Sequence, residues 1–181
     1  GFIEATNGTL LVDTGAAVVA NFGLMEAVTH GTLELRGAID SRTGGVLVAS
    51  DGAGGTSTVL LDAATLLGGA ITTDAVDPGS ALRVTTSGTL DGTAGAVTLT
   101  AGSHAIIDGN ESLTLLGTLA NHGTVAIGGD GVYGNVATLL VGSAVNLSGG
   151  GTVALAEHVN PQNATATQLI TGGALENVDN T

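Results

Sequence analysis

The chain has 181 residues, with 16 Asp and Glu against three Arg (Arg36, Arg42, Arg83), no Lys, no Cys and a formal net charge of -13. That balance cannot supply the basic footprint of a nucleic-acid binder or a docking patch for an anionic membrane, and zero Cys excludes disulfides, thiolate metal sites and Cys nucleophiles. A hydrophobic fraction of 43% separates the chain from acidic disordered tails. Its apolar runs, such as residues 16–20, fall far short of the ~20 residues of a spanning helix, so no membrane insertion is expected.

The chain opens on a repeat. Gly1-Phe2-Ile3-Glu4-Ala5 returns as Gly23-Leu24-Met25-Glu26-Ala27. Asn7-Gly8-Thr9-Leu10 returns as His30-Gly31-Thr32-Leu33. The second offset is longer than the first by a single position, so an insertion separates the two halves of the unit. Residues 9–12, 32–35, 46–49, 96–100, 112–115, 124–127 and 152–155 are rich in Val, Leu, Ile and Thr and often alternate with period two, as in Thr32-Leu33-Glu34-Leu35. Period two with β-branched residues predicts strands. Gly, Asn and Asp fill the gaps, as in Asp51-Gly52, Asp91-Gly92 and Asp108-Gly109, and these residues favour turns and positive φ. Residues 16–28 carry apolar spacing that imitates a helix, but Asn21 and Gly23 argue against one. A Gly-Thr-apolar triplet recurs at Gly88, Gly117, Gly123 and Gly151, and residues 59–66 resemble residues 139–146. Boundaries within residues 80–95 are not legible from the pattern.

Short strands, frequent turns and a long repeat predict an all-β parallel β-helix (β-solenoid) of roughly six to eight coils, each of about 22–29 residues. Small and aliphatic residues suit its narrow interior. The three aromatics, Phe2, Phe22 and Tyr133, are too few for a β-sandwich or propeller, the competing folds. At ~4.8 Å per coil the rod is about 30–40 Å long. Residues 1–181 form one solenoid segment in this reading. Residues 156–168, with Glu157, His158 and Asn160-Pro161-Gln162-Asn163, differ in composition and are expected to leave the rod as a loop. Solenoid ends need caps, and neither terminus reads as one. The expectation is therefore a piece excised from a longer repetitive protein.

Leu116-Gly117-Thr118-Leu119-Ala120-Asn121-His122-Gly123-Thr124-Val125 resembles the repeats of β-helical exoproteins and adhesins of Gram-negative bacteria, among them autotransporter passengers and giant type-one-secreted adhesins. Residues 1–10, 23–33 and 175–181 are similar to the same repeats, so the resemblance covers most of the chain. It implies an extracellular or cell-surface location and a role in adhesion, biofilm formation or stalk extension.

Chemistry-bearing groups are sparse. Gly128-Gly129-Asp130-Gly131-Val132-Tyr133 resembles the start of a calcium-binding repeat, but Tyr133 stands where a ligand Asp belongs and no second copy follows. Asp74-Ala75-Val76-Asp77 is the other calcium candidate, with solvated turn carboxylates as the alternative. His30, His104, His122 and His158 lack metal-ligand spacing; His30 and His122 both precede Gly-Thr and are expected at equivalent turns. Arg36 and Asp40 either face one groove or form a surface ion pair. No G-x-S-x-G elbow is present, and the Gly-rich stretches lack a phosphate-loop Lys. Thr56/Thr58, Thr98/Thr100 and Thr165/Thr167 are too far apart for an ice-binding array. Asn7, Asn21, Asn121 and Asn177 are candidates for a stacked hydrogen-bonded ladder.

No catalytic, cofactor or metal residue is assigned. The expected function is non-enzymatic: a rigid structural or adhesive module whose partners are the neighbouring repeats. Laterally associated rods, bridged by divalent cations, are a further expectation. A passenger that binds a host or matrix glycan or protein through residues 156–168 is the alternative, and a polysaccharide lyase or hydrolase fragment a third.

Overall fold

The computed structural model describes residues 1–52, 54–128, 135–155 and 168–181. All sixteen elements among them are strands, and every pairing between strands is parallel. The fold is a β-solenoid with three faces.

The first face stacks β1 (Phe2–Thr6), β4 (Leu24–Val28), β6 (Val46–Ser50) and β8 (Gly69–Thr73). The C-terminal parts of β10 (Ser87–Leu99), β12 (Ser112–Asn121), β14 (Thr138–Ser148) and β16 (Leu169–Asn177) continue it. The second face stacks β2 (Thr9–Asp13), the start of β5 (Thr32–Asp40), the start of β7 (Thr58–Leu67), β9 (Ala81–Val84), β11 (His104–Ile107), β13 (Thr124–Ile127) and β15 (Thr152–Leu155). The third face holds β3 (Val19–Ala20) and the remaining halves of the long strands. Eight rungs on the first face, at ~4.8 Å each, give a stack about 34 Å long.

The opening repeat is a true coil. Phe2 to Ala5 pair with Leu24 to Ala27, and Thr9 and Leu10 pair with Thr32 and Leu33. The inserted position lies in the corner between β4 and β5. Coil length departs from the expected range on both sides. The coil that carries His104 onto Thr124 is shorter than the repeat offsets predict, and the one that carries Val141 onto Gly172 is longer. Residues 16–28 form β3 and β4, as Asn21 and Gly23 require. The boundaries hidden in residues 80–95 fall at β9 and the start of β10.

Side chains alternate inward and outward, and in-register stacking turns each inward position into a column. Val12, Leu35, Leu61, Val84, Ile107, Ile127 and Leu155 form one. Val19, Ile39, Leu66, Leu90, Leu115 and Val141 form another. The five internal members of the first column are buried. Each leucine-sized side chain so buried contributes roughly 1.5–3 kcal/mol. Stacked aliphatics of similar volume fill a tube without wide rings, which accounts for the aromatic poverty.

Two repeat assignments need correction. Gly8, Gly31, Gly123 and Gly151 precede the second face and occupy one corner column with Ser57, Ser80 and Ser103, seen in the bonds Thr32 N–Gly8 O, Thr58 N–Gly31 O and Thr152 N–Gly123 O. The triplets at Gly88 and Gly117 are not equivalent to these: Gly88 points inward on the third face, and Gly117 (φ +67°) is the bend inside β12. Residues 59–66 and 139–146 are also out of phase. Val59 stacks on Leu33 and Leu82 of the second face, whereas Leu139 stacks on Leu113 and Ile170 of the third. Both segments alternate with period two, and alternation carries no mark of which face it belongs to.

Candidate functional site

The faces are aliphatic inside and mostly apolar or hydroxylic outside, so chemistry-bearing groups gather at the corners. A carboxylate or amide at a turn accepts the backbone N–H two residues on and fixes the bend. Seven described turns, at six corners, are built this way: Asp13–Gly15 (2.9 Å), Asn21–Gly23 (3.1 Å), Asp40–Arg42 (3.2 Å), Asp74–Val76 (2.9 Å), Asp77–Gly79 (3.0 Å), Asp91–Thr93 (2.9 Å) and Asn121–Gly123 (3.1 Å). Much of the acidity is therefore turn chemistry. At Asp74 these donors, led by the Val76 N–H, hold the carboxyl below its ordinary range.

Asn21 and Asn121 do more. Both are buried, and each donates from its amide nitrogen along the stack: Asn21 to Ser41 Oγ of the next coil (3.1 Å), Asn121 to Thr152 O of the next coil (3.1 Å) and to Asn180 Oδ1 of the coil after it (3.0 Å). They stand at different corners, and Asn7 and Asn177 are exposed. The four asparagines thus form no common ladder; two act as separate internal staples.

All three arginines are paired. Arg36 reaches across three coils, to Glu34 of its own coil (2.7 Å), Asp62 of the next (2.8 Å) and Asp13 of the one before (3.9 Å). Asp62 also accepts from Thr86 Oγ1 at 2.7 Å. That hydroxyl first, then the Arg36 guanidinium, lowers the Asp62 pKa. Arg83 holds Asp108 at 2.5 Å. Arg42 grips Asp40 with two nitrogens at 2.6 and 2.9 Å and brings its carboxyl down to about 2. Arg36 and Asp40 therefore do not pair: they lie on different faces, and each has its own partner. Two glutamates are shifted the other way. Burial, then the in-register Glu4, raises Glu26; burial, then Asp108 and Asp62, raises Glu111.

The corner between the first and second faces holds the remaining polar cluster. Asp51, its side chain 2% exposed, accepts from the His30 backbone N–H at 2.9 Å, and the His30 ring lies 3.7 Å away. His30 and His122 both sit directly before the corner glycine column. Asp77 accepts from Gly79 N and, at 3.1 Å, from Ser80 Oγ. In this state Asp74 and Asp77 are turn carboxylates facing N–H and O–H donors. Among the described residues no group of three or more His, Asp or Glu is placed to hold a metal ion. The calcium-like residues 129–134, His158 and nearly all of the 156–168 segment lie outside the described residues. An open hollow of about 290 Å³ follows the third-to-first corner, lined by Ser41, Arg42, Gly45, Gly69, Ala96 and Thr98.

No protein-family model, curated protein or solved structure matches the chain.

Proposed function

We propose that the chain is a non-enzymatic, rigid β-solenoid module of a secreted or cell-surface bacterial protein, acting mechanically as a stalk and serving adhesion or biofilm formation. The observation that carries this reading is the unbroken in-register ladder on three faces, with Arg36 tying three successive coils together. A load along such a stack is shared among many parallel backbone bonds. The acidic surface keeps a long repetitive chain soluble. The likeness of residues 116–125 to adhesin repeats supports an exported location.

The test is an array of glycans and matrix proteins probed with the purified chain, with and without calcium, beside pulling of the same chain by force microscopy. A stalk resists pulling and leaves the array blank. Specific capture on the array would replace the spacer reading with a ligand-binding passenger. Extension at negligible force would remove the mechanical role.

A further inference from the structure

Residues 74–80 join β8 to β9 at the corner and contain Asp77-Pro78-Gly79-Ser80, the one Asp–Pro bond in the sequence. An aspartyl–prolyl peptide has two chemical peculiarities. Its side-chain carboxyl can reach the carbonyl carbon of its own residue. Its departing nitrogen is the tertiary, more basic nitrogen of proline.

In the folded chain the Asp77 carboxylate is wrapped round that bond. Oδ1 accepts from Gly79 N at 3.0 Å and Oδ2 from Ser80 Oγ at 3.1 Å. The first hydrogen bond closes a ring of atoms that includes the Asp77–Pro78 linkage. Pro78 is exposed and Val76 is 93% exposed, so water has access.

We propose that Asp77–Pro78 is an acid-triggered self-scission site that converts the rod into two stacked pieces, residues 1–77 and 78–181. One oxygen of the un-ionised Asp77 carboxyl attacks the main-chain carbonyl carbon of Asp77. The bond from that carbon to the Pro78 nitrogen breaks, and the carboxyl proton passes to the nitrogen. The products are a cyclic anhydride at Asp77 and a free prolyl amine. One water then opens the anhydride to two carboxyl groups, so one peptide bond is hydrolysed and one water consumed.

The step needs the carboxyl proton, and an ionised carboxylate has none to give the leaving nitrogen. The site is closed near neutrality and opens in acid. The cut spares the ladder: β8 stays paired with β10, and β7 with β9 and β10, so three pairings bridge the two pieces.

The full chain is incubated at about pH 3 and about pH 7, either side of the ordinary carboxyl range, and followed by intact mass and size exclusion. Pieces 1–77 and 78–181 are expected only in acid, and they co-elute once neutralised. Asp77→Asn and Pro78→Ala each slow the cut at least about tenfold, because each removes one half of the intramolecular step. A chain left intact in acid, scission spread over Asp91–Gly92 and Asp108–Gly109, or undiminished cutting in Pro78→Ala overturns the proposal. Pieces that elute apart overturn the stacked product.

Discussion

At the scale of single residues, the corner column before the second face decides what a glycine is worth. A Cβ on Gly31 would collide with the Ala5 carbonyl oxygen, and one on Gly123 with that of Ser103. Gly8 holds the same column in the first coil, with nothing within 4 Å of its Cβ position and no positive φ. Gly31→Ala is therefore expected to cost about 2–4 kcal/mol of unfolding free energy, in the range of severe backbone and packing errors. Gly8→Ala should stay within about 0.5 kcal/mol. Denaturant titration of the two variants reads the difference, and equal costs would mean the column is not close-packed. Asn121 offers a second residue-level test. Its side chain is fully buried and satisfies Gly123 N, Thr152 O and Asn180. Asn121→Ala strands two backbone groups and should lose about 1–3 kcal/mol. Asn177, exposed and bonded to nearby Asn180, should lose less than about 1 kcal/mol in the same change. A Tm for Asn121→Ala equal to that of the parent would refute the staple.

At the scale of strands and the seams between them, the charged groups act across coils. Arg36 is the clearest case, and its side chain is 44% exposed, so solvent screens the clamp. Arg36→Ala should lower Tm at low salt, and the gap should close in about 1 M salt, where the Debye length is near 3 Å. A gap that survives salt would assign the effect to packing of the side-chain stem. Acid acts on the same seams with a definite sign. Asp40, Asp62 and Asp74 have folded values below the ordinary one. Their stabilisation is present above the unfolded carboxylate range and is lost as pH falls through the folded values, down to about 2 for Asp40. Glu26 and Glu111 are raised, so their favourable contribution belongs to acid and disappears as pH rises. Glu26→Gln, which removes the charge stacked on Glu4, should raise Tm at pH 7 and leave it unchanged near pH 3. A lower Tm at pH 7 would contradict the like-charge reading.

Strands were legible in the sequence where a small residue preceded an alternating run: β13 and β15 coincide with residues 124–127 and 152–155. Faces were not, because Gly-Thr-apolar serves a corner at Gly123 and a bend at Gly117 alike. The ion pairs escaped for a related reason. Nearness in sequence sets Arg36 against Asp40, whereas its partner Asp62 lies 26 residues on, and Asp108 lies 25 beyond Arg83. Those separations are one coil, the same interval that joins register partners. A search for opposite charges one coil ahead finds both pairs. The asparagine staples were visible as Asn-x-Gly but not as buried, since burial depends on the neighbouring coil.

At the scale of the whole molecule, the backbone ladder joins each coil only to the coils beside it, so stability is close to a sum of coil and interface contributions along one dimension. Central coils have two neighbours and end coils one. The exposures follow: Leu82 is fully buried, while Leu10, in the same inward column, is 36% exposed, and Ile170 and Leu175 at the other end are 43% and 38% exposed. Leu82→Ala should open a cavity that neither adjacent coil can fill and cost about 2–5 kcal/mol, whereas Leu10→Ala should cost less than about 1 kcal/mol. The two variants also differ in what they loosen. A defect at Leu82 cuts the array in its middle and should speed amide exchange in β7, β9 and β11 together. A defect at Leu10 should speed exchange only in β1, β2 and the start of β5. In the parent chain the slowest amides should lie between β7 and β12, with protection falling toward both ends. Uniform protection along the stack, or a Leu10→Ala effect that reaches β11, would mean that the solenoid unfolds as a single block, and a nearest-neighbour description would then be wrong for this chain.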